Sequence, residues 1–401
     1  MAGIIVIGAG QAGSSLVVKL RTLGFSGDIT LIGGEPVPPY QRPPLSKKYM
    51  LGQMDVERLF LRPEAFYGDQ NINLRLGVQV TEIDRAAKTV TLNTSEVLNY
   101  DQLALTTGSD PIRLPASIGG DLGGVYTVRT LADADAMAPD FVKGKRALIV
   151  GGGYIGLEAA AVAATRGVNV VLVEMADRIL QRVAAPETSE YFRSLHAKRG
   201  VDIREGVGLA SLNGRDGQVT SATLTDGTEL EIDFVVVGVG IRPSFSLAKA
   251  AGLVIDNGIK VDEHGRTSDQ SIFAAGDCAS FPYKEERIRL ESVPNAIEQA
   301  EATAAAMLGS DAEYRAKPWF WSDQYDVKLQ IAGLNSGYDR VVSRKTDSAT
   351  SFWYFKGNKL LAVDAMNDPR AYMVGKRLIE AGKSPDPDAV ANSDIDMKTL
   401  L

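Results

Sequence analysis

The chain writes one local pattern twice. An apolar run, Ile4 to Ile7, meets a glycine string at Gly8, Gly10 and Gly13, and a helical stretch from Ser14 to Leu23 leads to a second strand, Asp28 to Ile32. Arg146 to Val150, then Gly151, Gly153 and Gly156, then Leu157 to Arg166 and Asn169 to Glu174 repeat that order. Strand, glycine turn, helix and strand at this spacing make a βαβ unit. The first glycine permits the tight turn, the second admits a pyrophosphate close to the backbone, and the third lets helix pack on strand. The helix N-terminus adds unpaired N–H groups and a partial positive charge, which suit phosphate. Two such units predict two doubly wound parallel sheets, each with its own dinucleotide site.

Later strands place the second unit inside the first. Leu103 to Leu105 ends in a glycine turn within "YDQLALTTGSDP", Val235 to Val237 does so within "DFVVVGVGIRP", and "SIFAAGDCA" ends at Gly276 and Asp277. The expected architecture is α/β: two Rossmann-like domains, the second inserted in the first, plus a C-terminal α+β domain. The boundaries expected are 1–110 with 240–319, 111–239, and 320–401. In the last domain Tyr325 to Ile331, Thr350 to Phe355 and Lys359 to Val363 read as strands, with Gly357-Asn358 as a hairpin turn. A helix is expected around Tyr372 to Ala381, and a polar surface tail after Lys383.

Composition narrows the function. The net charge of −7 argues against general nucleic-acid binding. The most span-like stretch, Ala147 to Ala164, carries Glu158 and three adjacent glycines and reads as strand–turn–helix, so no membrane span is expected. The N-terminus reads as a strand start rather than a targeting segment. Cys278 is the only cysteine, which rules out an internal disulfide and a dithiol redox pair and suits the cytoplasm. No metal site is expected.

A carboxylate at the end of the second strand should take the adenosine ribose. In the second unit that residue is Glu174, which would bond both hydroxyls and repel a 2′-phosphate, so NADH is preferred; Arg178 lies near enough in sequence to moderate this. In the first unit the strand runs on as "LIGGE", and Glu35 is the candidate.

Longer motifs carry a resemblance. "PPYQRPPLSKKY", "GGGYIGLE", "AAGDCA", "RLESVPNAIEQA" and "PWFWSDQYDVKLQIAG" together resemble the ferredoxin reductases of bacterial oxygenase systems, from Ile4 to about Asn367. The resemblance implies that the first unit binds FAD and the inserted unit NADH. It implies FAD contacts from Gly8, Gly10, Ala12, Gly13, Glu35, Arg42, Lys47, Val80, Thr107, Gly108, Arg129, Asp277 and Val293. The NAD contacts implied are Gly151, Gly153, Tyr154, Ile155, Gly156, Glu174 and Gly240. Asp277 would bond the ribityl chain, Lys47 would stand at the reactive edge of the flavin ring and pair with Glu158, and Trp321 would approach the flavin. Ser292 would cap a helix, with Pro294 in its first turn, that points its dipole at the flavin.

The activity so implied is hydride transfer from NADH to FAD, then single-electron transfer to a two-iron ferredoxin serving a terminal oxygenase. One cysteine cannot hold such a cluster, so the iron–sulfur protein is separate. The disulfide reductases share the broad fold but need a C-x4-C pair, absent from "PPYQRPPLSKKYM". Reduction of a quinone or other small acceptor, and a non-enzymatic redox-sensitive scaffold, stay open. Arg287 and Arg289 are candidates for a basic docking face.

Overall fold

A computed structural model of the protein describes residues 3–401. Its first sheet sets four parallel strands in the order Ile72–Leu76, Ile29–Gly33, Gly3–Ile7, Val97–Leu105, and Ile272–Ala274 pairs along the far side of the last. Ile7 lies opposite Ile32 on one side and Leu105 on the other, and Leu105 in turn faces Ala274. At the centre of the sheet residues 4–7 and 103–105 are continuous buried runs of Ile, Val, Leu and Ala because both faces are covered there, as in parallel sheets generally. Leu16, Val17 and Leu20 of helix Gln11–Thr22 pack one face with Ala300, Ala304 and Met307 of helix Val293–Met307. Cys278, Phe281 and Leu253 fill the other face.

This sheet belongs to a compact unit made of the residues up to Gln41, Asp55–Asp110 and Arg242–Pro318. Arg42–Met54, Pro111–Ile241 and Trp319–Leu401 form a second. There a five-stranded parallel sheet runs Asp202–Glu205, Asn169–Glu174, Arg146–Val150, Phe234–Val237, Val125–Thr127. Helix Tyr154–Thr165 lies on it with every residue from Gly156 to Ala163 buried. A helix apolar all round needs cover on both sides. Strand Trp319–Gln324 packs against it, and Ser322 of that strand bonds Glu158 of the helix. That strand is the edge of an antiparallel sheet ordered Trp319–Gln324, Val327–Gly333, Lys359–Met366, Thr350–Lys356, Arg340–Lys345.

Three local expectations are corrected. The strand expected from Tyr325 to Ile331 is found as Val327–Gly333, but its first two residues are the tip of a hairpin, with Tyr325 at φ 55° in the turn between Trp319–Gln324 and Val327–Gly333. The tail after Lys383 is anchored: Val390 and Met397 are buried in the C-terminal core, and Arg344 donates to the carbonyls of Val390, Asn392, Ser393 and Ile395. Residues 42–54, expected with the first domain, cluster with the second unit, where Ser46 and Lys47 bond Glu158.

Candidate functional site

The glycine turn of the first unit is dictated by backbone crowding. Gly8 sits at φ 112°, and a Cβ there would lie 2.2 Å from the carbonyl oxygen of Thr106. A Cβ on Gly13 would lie 2.0 Å from the Gly8 oxygen, whereas one on Gly10 would meet nothing within 4 Å. Thr106 clamps the turn from beneath, its hydroxyl donating to the carbonyls of Ile7 (3.1 Å) and Gly8 (2.8 Å). Helix Gln11–Thr22 starts at Gly10 with no side-chain cap and no acid in its first turn, and carries Lys19 and Arg21 in its last. Its N–H groups and dipole are therefore available to an anion in the open space before Gly10.

The second unit repeats this geometry. Gly151 is at φ 105° with the Gly238 oxygen 2.5 Å from its would-be Cβ, Gly156 is confined by the Gly151 oxygen at 2.0 Å, and Gly153 faces open space. Helix Tyr154–Thr165 likewise starts uncapped and without an acid. Helices Val293–Met307 and Pro369–Glu380, which carry no glycine turn, are capped by Ser292 and Asp368. Two uncapped starts and two sterically open glycines fit two pyrophosphates.

Around the first turn, Gly276 stands at φ 82° with its would-be Cβ 3.0 Å from that of Ala12, so Asp277 emerges beside the glycine helix. The Asp277 carboxylate accepts from Ser109 Oγ at 3.0 Å, and its carbonyl accepts from Arg289. Thr107 Oγ1 donates to the Ser244 carbonyl (2.6 Å), and Gly108 is at φ 68°. Tyr40 donates to Glu35 Oε2 at 2.6 Å, fixing the acid that follows the second strand. Val80 opens strand Val80–Asp84, and Val293 opens the helix that Ser292 caps through Asn295 N–H, as expected.

In the second unit both oxygens of Glu174 already accept backbone N–H groups, from Gly152 (2.7 Å) and Ala176 (2.8 Å). The carboxylate is thereby fixed against the glycine turn with further lone pairs to spare. Arg178 is turned to other work, donating to Ser189 Oγ and to the carbonyl of Ala184. Tyr154 places its ring 5.0 Å from Phe320, with its hydroxyl buried and unbonded, and burial pushes the phenol well up. Ile155 is exposed, and Gly240 is at φ 119°.

Lys47, Glu158 and Trp321 also belong to this unit, as do Arg42 and Arg129. Lys47 Nζ lies 3.0 Å from Glu158 Oε1, and Ser322 (2.6 Å) and Ser46 (2.9 Å) donate to the two carboxylate oxygens. Burial raises the Glu158 pKa, opposed first by the Lys47 charge and then by the three hydrogen bonds. Arg42 donates to the Arg129 carbonyl at 2.6 Å. The half-buried Trp321 ring lies 5.7 Å from that of Trp319.

Sequence reasoning named Lys47 and Glu158 but missed Ser46 and Ser322, which complete the carboxylate's shell. Adjacency to Lys47 and Trp321 was the only signal for them. It also offered Arg287 and Arg289 as a docking face, which the structure corrects. Arg289 is 12% exposed and bonded to Glu291 and the Asp277 carbonyl, and Arg287 donates to the carbonyls of Val261 and Ser280. Cys278 is buried, its thiol pushed up by burial. Among the described residues no helix is long and apolar enough to cross a membrane, and no His, Cys, Asp or Glu cluster could hold a metal ion.

Two glycine-turn dinucleotide cradles in one chain, followed by a C-terminal sheet, define a nicotinamide-linked flavoprotein oxidoreductase. The family described as pyridine nucleotide-disulphide oxidoreductase matches residues 2–300, and that described as reductase C-terminal matches 319–401. The chain belongs to this family, among its ferredoxin reductases. It is 42% identical to rhodocoxin reductase of Rhodococcus erythropolis over 99% of this chain and 94% of the relative. A ferredoxin–NAD(P)+ reductase of a Sphingomonas species is 43% identical over 96% of this chain and 94% of its own. Putidaredoxin reductase, solved in covalent complex with putidaredoxin, superposes with a TM-score of 0.96 at 39% identity, covering 100% of this chain and 98% of that one.

Proposed function

We propose that the protein passes electrons from NADH through FAD to a separate two-iron ferredoxin that serves an oxygenase. The observation that carries this reading is the pair of uncapped, glycine-turned helix starts in a chain whose single thiol is buried. FAD, when bound, would take the two electrons of a hydride and release them singly, which a dithiol, a two-electron couple, does not do. The Gly8–Gly13 turn holds its pyrophosphate, with Ala12, Glu35, Val80, Thr107, Gly108, Asp277 and Val293 lining the flavin and Arg42 and Arg129 completing the set.

The Gly151–Gly156 turn holds NADH. Glu174, fixed by Gly152 and Ala176, offers its remaining lone pairs to the ribose and repels a 2′-phosphate. Tyr154, Ile155 and Gly240 border that site. Lys47, held by Glu158, supplies positive charge that favours electrons on the flavin ring, and Trp321 stands with it. No cluster can be held by one cysteine, so the electrons leave to another protein. A single thiol with no disulfide partner and NADH as donor support a cytoplasmic location.

The test is steady-state reduction of purified two-iron ferredoxins by NADH, with quinones as competing acceptors. A ferredoxin reduced with the higher kcat/KM is expected. Turnover confined to quinones would make the protein a small-acceptor reductase.

A further inference from the structure

Glu158 is the end of a line of buried hydrogen bonds. Ser322 Oγ donates to Glu158 Oε1 at 2.6 Å, Gln324 Nε2 donates to Ser322 Oγ at 3.2 Å, and His196 Nε2 lies 2.8 Å from Gln324 Oε1. Tyr325 Oη stands 3.1 Å from His196 Nδ1. Ser322, Gln324 and His196 are fully buried, and Glu158 is 2% exposed. The half-buried Tyr325, its ring under the Arg199 guanidinium, marks the outer end.

The chemistry of the groups fixes the direction of this line. An ionised Glu158 has no proton to give, so the single Ser322 hydroxyl proton goes to it. Ser322 must then accept from Gln324, which turns the amide nitrogen inward and its oxygen toward His196. That oxygen can only accept, so His196 carries its proton on Nε2, and its bare Nδ1 accepts from Tyr325. Burial lowers the His196 pKa, in keeping with a neutral ring. A proton on Glu158 Oε1 would turn every link round.

We propose that Ser322, Gln324 and His196 are positioning residues for Glu158, forming a one-way hydrogen-bond line that holds its carboxylate ionised and so keeps Lys47 in place. Bonds in such a line polarise one another, each strengthening the next toward the charge. The other groups facing the line are Lys47 and Ser46 at Glu158, Tyr154 one turn earlier on the same helix, and Arg199 with its partner Asp326 at Tyr325. For its effect on electron transfer, the proposal rests on the reading that Lys47 acts beside the flavin.

The ring state of His196 is read from long-range proton–nitrogen spectra of FAD-loaded protein labelled on its two histidines, His196→Phe giving the assignment. A neutral ring protonated on Nε2 is expected at neutral pH. The Glu158 carboxyl carbon, assigned through Glu158→Gln, should titrate about one pH unit or more higher in Ser322→Ala, the loss of one bond to a charge. Ser322→Thr should restore it, and Gln324→Leu should raise it by about a few tenths of a unit. A ring protonated on Nδ1 in the unmutated protein overturns the proposal, whether or not the variants fold. So does a Glu158 titration unmoved in both Ser322→Ala and Gln324→Leu. The flavin midpoint potential should fall in Ser322→Ala. A moved Glu158 titration with an unmoved potential upholds the line and overturns the placement of Lys47 beside the flavin.

Discussion

At the scale of the residue, the pair Lys47–Glu158 carries more constraint than its charges alone. Both are nearly buried, so removing the cation strands a carboxylate in an apolar site, a loss of about 3–5 kcal/mol unless the acid takes up a proton. Lys47→Met should therefore lower Tm, slow flavin reduction by NADH and make the flavin potential more negative while FAD stays bound. Adding Glu158→Gln should recover most of the stability and none of the rate. Stopped-flow reduction with potentiometry on both variants checks this, and unchanged kinetics would return Lys47 to a purely structural role. Glu174 holds the N–H groups of Gly152 and Ala176, and under the proposed function it has a second job at the dinucleotide ribose. Glu174→Gln keeps an acceptor for the turn but loses the charge. The preference for NADH over NADPH should fall about tenfold or more, with FAD content intact, in the ratio of the two kcat/KM values.

At the scale of the element, the two glycine turns separate steric from ligand roles. Gly13→Ala drives a methyl into the Gly8 carbonyl and should destabilise the protein by about 1–3 kcal/mol. Gly10→Ala meets only open space, so the apoprotein should melt as before while its affinity for FAD drops. Gly153→Ala should raise KM for NADH and leave FAD content alone. Melting curves of apo and flavin-loaded protein distinguish these outcomes, and a Gly10→Ala protein with unchanged FAD affinity would remove the pyrophosphate from that turn.

Helix Pro186–Lys198 is tied to the C-terminal sheet through Asp364, which accepts from Thr188 at 2.7 Å and from Tyr354. Burial raises the Asp364 pKa to about 6. The folded protein thus holds this proton more tightly than the unfolded chain. The stability contribution is full below pH ~4 and is lost as pH rises to about 6, by roughly 3 kcal/mol. Asp364→Asn should flatten that part of the Tm-against-pH curve. An unchanged slope would mean the carboxyl ionises freely in the fold.

At the scale of the whole molecule, the arrangement of the thiol separates this protein from relatives that pass electrons through a disulfide. Cys278 packs under the first sheet with its Sγ toward the carbonyls of Leu105 and Ala275, remote in character from a redox thiolate. Cys278→Ala should support NADH-driven ferredoxin reduction within about twofold of the parent, at a modest cost in stability. Loss of ferredoxin reduction in a folded, flavin-loaded variant would mean that the thiol takes part in electron transfer. The chain's crossings between units after Gln41, Met54, Asp110, Ile241 and Pro318 also mean that neither unit is a single continuous segment. Each is built from three stretches of chain.

Much of this was legible in one dimension. The glycine strings, the strands that bracket them and the acid ending Asn169–Glu174 obey short-range rules, because a βαβ turn is a local crowding problem that only glycine solves. The Ser292 cap and the hairpin at Gly357 are local in the same way. Family motifs carried Lys47 and Glu158 further than their spacing of more than a hundred residues could.

What the sequence left undecided depended on groups remote along the chain. The hairpin tip at Tyr325 and the anchored tail are fixed by neighbours such as Arg344, whose four carbonyl partners follow it by 46 to 51 residues. Arg178 read as a neighbour of the dinucleotide and Arg289 as part of a docking face until the structure gave each a carbonyl acceptor within its own unit. The shell of Glu158 unites Ser46, Lys47 and Ser322, separated from it by up to 164 residues. Local sterics are written residue by residue, so the sequence determined the turns and the dinucleotide class. Burial and the direction of a hydrogen bond are properties of the packed interior, and only the tertiary structure decided which charges are paired and which way the protons point.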